Sequence, residues 1–203
     1  MNSGNIIFLN GTSSSGKTSI THTLQRLFDV PYLHVSIDNF LQALPTRYVD
    51  YLSGSAQPSS QELERLRTYL PRLLAGTHAS IAALASEKNN LVVDYVFEQS
   101  SDLLKCVNRL ADLTVFFVGV HCSLEELERR EKQRDRRQGL ARLQFGIVHA
   151  YSVYDVEVDT TSTSTEECAR SIKQVFERTP RPTAFRQIET ALSAQTAPSK
   201  DLM

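Results

Sequence analysis

The chain has 203 residues, and its 22 Lys and Arg against 23 Asp and Glu leave a formal net charge of −1. That length suits one domain able to bury a core without metals or disulfides, and a near-neutral chain with no basic tract interleaved with aromatics argues against a nucleic-acid or polyanion surface. No apolar run approaches the ~18 residues of a membrane span, no leader-like segment follows Met1, and Cys106, Cys122 and Cys168 show no paired spacing. The expectation is a soluble cytoplasmic protein with reduced core thiols, a small-molecule partner, and no nucleic-acid or membrane partner.

Ile6, Ile7, Phe8 and Leu9 form a short apolar run fit for a buried parallel strand. Gly11, Thr12, Ser13, Ser14, Ser15, Gly16, Lys17 and Thr18 then satisfy G-x-x-x-x-G-K-[ST] at every fixed position, and Ser19 continues into a helix marked by Ile20, Leu24, Leu27 and Phe28. Glycines let the backbone curl until successive N–H groups face one anion, and the small residues keep that cradle open. Lys17 supplies a charge for the β- and γ-phosphates, the Thr18 hydroxyl suits Mg²⁺, and the helix N-terminus favours negative charge. The alternative is a Ser/Gly turn that binds nothing.

Tyr32, Leu33, His34, Val35 and Ser36 read as a second strand, with Asp38 just past its end. In a parallel α/β sheet ligands lie at the carboxyl ends of strands, so Asp38 is a candidate general base; its other reading is the N-cap of a short helix carrying Leu41 and Leu44. Residues 45–59 lack sustained periodicity and read as a substrate-side loop, with Arg47, Tyr48 and Tyr51 either lining a pocket or solvated. Ser59 and Glu62 have capping-box spacing ahead of a helical face, which Pro71 is expected to kink or divide.

Residues 91–96 form the third strand, and its apolar run into Asp94 makes that carboxylate a candidate Mg²⁺ ligand, directly or through water. Residues 113–120 are the clearest buried strand, followed by Ser123 and Glu126 at the start of a Glu/Arg-rich helix. Alternating charges there suit a solvated face, but Arg134, Arg136 and Arg137 crowd before Gly139 and are candidates for a lid that meets phosphoryl charge. Residues 144–151 are expected to continue as helix, with His149 facing either the substrate or the core, a structural histidine being favoured, and 154–159 alternate as a fifth strand. A loop at 159–162 that could touch a nucleobase, a capping box at Ser164 and Glu167, and a helix to about Arg178 follow. A P-loop domain over 1–179 is thus expected ahead of a tail at 180–203 whose composition permits disorder.

The segments IIFLNGTSSSGKTS, SIDNF, VVDYVF, VGVHC, RDRRQG and HAYSVYDVEVDTT, in this order over roughly residues 5–175, resemble the chloramphenicol phosphotransferase family of P-loop kinases. The resemblance implies that Lys17 and Thr18 bind ATP phosphates and Mg²⁺, that Asp38 is the catalytic base, and that Arg136 is a lid arginine, with drug modification and antibiotic resistance as the associated chemistry. The sequence departs from the family at Tyr95, where the drug enzyme has an acidic residue, and over 45–59, which does not match its drug-contacting region.

Five strand candidates alternating with helices give a three-layer α/β P-loop fold with a parallel sheet. The family likeness implies the nucleoside-monophosphate-kinase-like branch and strand order 2-3-1-4-5. Transfer of the γ-phosphoryl group of Mg·ATP to a small-molecule hydroxyl is the expected activity. A metabolite or nucleoside kinase, a nucleotide-dependent binding switch, and an enzyme acting on a macromolecule are the alternatives.

Overall fold

The computed structural model describes residues 3–133 and 138–196 of the chain. Arg134, Arg136 and Arg137, the expected lid cations, lie outside the described residues.

The strands are β1 (Ile6–Asn10), β2 (Tyr32–Ser36), β3 (Asn90–Tyr95), β4 (Val115–His121) and β5 (Val156–Asp159). They form one sheet in the order β2-β3-β1-β4-β5 with parallel pairing throughout, the order expected. β1 lies at the centre, so its apolar run is buried on both faces, and alternate residues serve opposite layers. Ile6 and Phe8 join a core with Leu91, Val93, Tyr95 and Phe117, while Ile7 and Leu9 join another with Val92, Phe116, Val118 and Val158.

The second core is closed by α1 (Lys17–Leu27) and α8 (Thr165–Arg178), through Ile20, Leu24, Cys168 and Ile172. The first is closed by α4 (Ser60–Ser86), α5 (Ser100–Arg109) and α9 (Ala184–Thr196), through Ile81, Leu103, Val107, Phe185 and Ile188. Three layers result. At roughly 1.5–3 kcal/mol for each large apolar side chain buried, these two interfaces are the main source of stability.

Several local expectations change. Residues 46–52 form a short helix, α3 (Thr46–Leu52), following α2 (Ile37–Gln42); α3 buries no residue, so no apolar period marks it in the sequence. Pro71 does not divide α4, because the Ser59/Glu62 capping box secures one end and Thr77, His78, Ile81 and Ala85 dock the other half on the core. After α6 (Leu124–Lys132), the next helix is α7 (Leu140–Phe145), and 146–151 are turns instead of the helix expected over 144–151. The Glu131 carboxylate accepts the Gly139 and Ala141 amide protons and so starts α7 early.

The region read as a tail whose composition permits disorder contains α9, with Phe185, Ile188 and Leu192 buried. Asp155 seeds it from afar. One carboxylate oxygen accepts the Thr183 and Ala184 amide protons and the other accepts the Phe117 amide proton, which ties the helix start to β4. Cys106, Cys122 and Cys168 are buried thiols. No helix among the described residues is long and apolar enough to cross a membrane.

Candidate functional site

β1 ends at Asn10, a fully buried amide whose hydrogen bonds fix the entry to the loop. Its Oδ1 accepts the Phe97 amide proton, and its Nδ2 donates to Val148 O and to the Tyr154 hydroxyl at 2.8 Å. The Tyr154 hydroxyl is in turn hydrogen-bonded to His149 Nδ1 at 2.7 Å. His149 stacks on His121, and burial, with the nearby His121 and Lys17 charges, lowers its pKa to about 4; burial pushes Tyr154 up to about 12. The expectation of a structural histidine thus agrees with these contacts, which brace the loop's first residue.

The loop itself needs its glycines. A Cβ on Gly11 would lie 2.4 Å from Val120 O, and Gly16 sits at φ +95° where α1 begins. Ser14 also takes a left-handed φ of 66°. Lys17 Nζ donates to Gly11 O at 2.8 Å and Thr12 O at 3.0 Å and lies 3.8 Å from Asp94 Oδ1. The Thr18 hydroxyl donates to Asp94 Oδ2 at 2.6 Å. Asp94 is buried near the carboxyl end of β3, so the candidate cation pair comes from two elements brought together by the β1–β3 pairing.

Asp38 stands in the first turn of α2, but it does not cap that helix. The Ser36 hydroxyl does, accepting the Asp38 amide proton at 3.2 Å, which corrects the alternative reading of Asp38. Ser13, Ser14, Gly16, Lys17, Thr18, Ser19, Asp38 and Asp94 line a single cleft, completed by Ser36, Ile37, Val96, Leu140 and Gln144. Gly11, Thr12 and Ser15 are buried and do not line it. Across Leu140 a second hollow of about 600 Å³ opens between Tyr51–Ser55 and Gln138, Leu140 and Leu143. Tyr95 turns the other way: its side chain is in the core, its hydroxyl donates to Asp102, and His78 Nε2 lies 3.1 Å from it.

Side chains that sequence reasoning did not single out complete the site. Arg130, read as part of a solvated face, donates to Ser14 O, Thr160 O and Thr160 Oγ1, while Thr160 Oγ1 donates to Ser15 O. Its other partner is Glu126, whose pKa the Arg129 and Arg130 hydrogen bonds lower to about 2. Gln144 bonds the Ser13 amide. His34 Nε2 is buried without a hydrogen bond, 4.0 Å from Asp94 Oδ2. Arg130 lies in the alternating-charge run of 125–137, a pattern that fits a solvated helix face, and nothing local in the sequence marks Gln144.

The residues present fit a bound nucleotide phosphate and a divalent cation. A cradle that a Cβ at Gly11 would obstruct opens at a helix N-terminus, and the Ser14 and Ser15 hydroxyls are buried with no hydrogen-bond partner. Thr18 and Asp94 form an oxygen pair of the kind Mg²⁺ takes together with water and phosphate oxygens.

Fold and loop together define a P-loop kinase fold. Two solved structures share it: the Mycobacterium tuberculosis APS kinase CysC in complex with AMPPNP and APS, at 16% identity and TM-score 0.61 over 87% of this chain and 99% of that one, and a gluconokinase from Sinorhizobium meliloti 1021, at 18% identity and TM-score 0.60 over 97% and 99%. Residues 4–177 match the chloramphenicol phosphotransferase-like proteins, and the chain belongs to that family. A Mycobacterium tuberculosis (strain H37Rv) protein whose name, O-phosphotransferase Rv2636, is itself a proposal is 32% identical over 200 residues, covering 93% of this chain and 89% of that protein.

Proposed function

We propose that the protein transfers the γ-phosphoryl group of ATP to a hydroxyl of a small molecule. The observation that carries this reading is the shared cleft of Lys17, Thr18, Asp94 and Asp38. The loop amides of 11–19 and Lys17 would hold the nucleotide phosphates, and Thr18 with Asp94 would hold Mg²⁺. When bound, that ion neutralises charge developing between the β- and γ-phosphates.

Asp38 accepts the proton of the acceptor hydroxyl as its oxygen bonds to phosphorus and the bond to the ADP leaving group breaks. The hollow between α3 and α7 continues this cleft past Leu140 and is the place for the acceptor's body. Arg134, Arg136 and Arg137 stay candidates for closing charge over the phosphoryl group. Reduced buried thiols agree with a cytoplasmic setting.

The test is ATP consumption by the purified protein with Mg²⁺ and a panel of hydroxyl-bearing antibiotics, chloramphenicol included, together with sugars and nucleosides. Acceptor-dependent ADP release is expected with at least one class. Lys17→Ala should weaken ATP binding and lower turnover together, because the ammonium meets phosphate in both ground and transition states. Wild-type turnover in that variant would refute the assignment.

A further inference from the structure

Gln144 is polar, yet only 4% of it is exposed. Its Oε1 accepts the Ser13 amide proton at 2.7 Å and its Nε2 donates to Glu98 Oε1 at 2.7 Å. Chemistry dictates this orientation, since a backbone N–H only donates and a carboxylate accepts. Ser13 belongs to the phosphate cradle, and Ser13, Gln144 and Asp38 line one cleft. A neutral amide oxygen therefore occupies a donor that the cradle would otherwise present to an anion.

We propose that Gln144 is a positioning residue that holds the Ser13 amide until a nucleotide phosphate takes that proton over, an inference that rests on the nucleotide-binding reading above. Without Gln144 the cradle's amide would turn to water in the empty protein, with no protein partner to fix its direction. With it, the N–H keeps its direction. A charge-assisted bond to phosphate is roughly twice as strong as a neutral one, so the phosphate displaces the carboxamide. Glu98, bonded to the other end, retains the side chain close by for its return. Neutrality is essential, because a carboxylate at 144 would not yield.

Calorimetric titration with Mg·AMPPNP tests this in the wild type, Gln144→Leu, Gln144→Glu, and Gln144→Glu combined with Glu98→Gln. The Leu variant lacks the competing acceptor and should bind as tightly as wild type or a few-fold tighter, whereas the Glu variant should bind at least about 10-fold more weakly. Adding Glu98→Gln restores a donor–acceptor match across the pair, and affinity should nevertheless stay low. A merely structural glutamine would weaken both single variants alongside their melting temperatures.

Loss of affinity in the Leu variant, recovery in the double variant, or unchanged affinity in both single variants would overturn the inference while leaving the functional reading intact. A wild type that binds no nucleotide would overturn both.

Discussion

Ser36 and Asp38 sit two residues apart and divide two tasks. The Ser36 hydroxyl caps α2 by accepting the Asp38 amide proton, while the Asp38 side chain lines the cleft. Substituting Asp38 by Asn keeps the side chain's size and the cap but removes most of its basicity. Transfer should fall by about 10² or more, as expected for general-base catalysis, while nucleotide affinity is retained. Single-turnover transfer measured beside nucleotide titration checks this; loss of binding in step with transfer would reassign Asp38 to metal or fold. Under the proposed function Lys17 and Thr18 differ from Asp38 in this respect, because they would hold the nucleotide phosphates and Mg²⁺ themselves.

At the scale of elements, α9 matters most among the differences from expectation. Pro180 and Pro182 and an Ala/Ser/Gln-rich composition read as a tail, but Phe185, Ile188 and Leu192 recur at helical spacing and reach the core between α5 and β4. Ile188 is 1% exposed, so Ile188→Ala should cost about 2–5 kcal/mol through lost transfer energy and an unfilled cavity. Urea unfolding of the full chain would read this; a change under about 0.5 kcal/mol would mean that α9 docks too loosely to support the sheet. Asp155 explains why the helix starts where it does, since it takes both the Thr183 and Ala184 amide protons. Thr183 directly before Ala184 and the spacing of Phe185, Ile188 and Leu192 are local signs of this helix, but the flanking prolines and the polar composition masked them.

For the whole molecule, the buried His78 couples stability to pH. Its pKa is lowered by burial to about 4 from 6.5, so the folded protein holds it neutral where the unfolded chain protonates it. Stability from this group is full above about pH 6.5 and is lost as pH falls towards about 4, by something of the order of 3 kcal/mol. His149, also lowered to about 4 by burial, adds in the same sense. Asp102 works the other way: burial raises its pKa, so the folded state gains a proton early and offsets part of the loss at the acid end. Denaturant melts at intervals from pH 7.5 down to 4.5 should show falling stability, and His78→Gln should make the fall shallower. A flat profile in the wild type would refute the burial of a neutral His78.

What the sequence determined by itself was the framework. Apolar runs at 6–9, 91–96 and 113–120 specify strands because strands buried on both faces carry no polar alternation, and the fixed spacing of Gly11, Gly16, Lys17 and Thr18 specifies the loop because backbone curl and charge placement are local properties. The family was legible for the same reason: its motifs are contiguous. Tertiary structure alone decided which distant side chains meet. Asp94 reaches Thr18 through the β1–β3 pairing, Arg130 and Thr160 reach the back of the loop from α6 and the end of β5, and Gln144 reaches Ser13 across 131 positions. Such contacts depend on hydrogen-bond geometry between segments far apart in the chain, and neither composition nor periodicity encodes the distance at which two side chains come to rest.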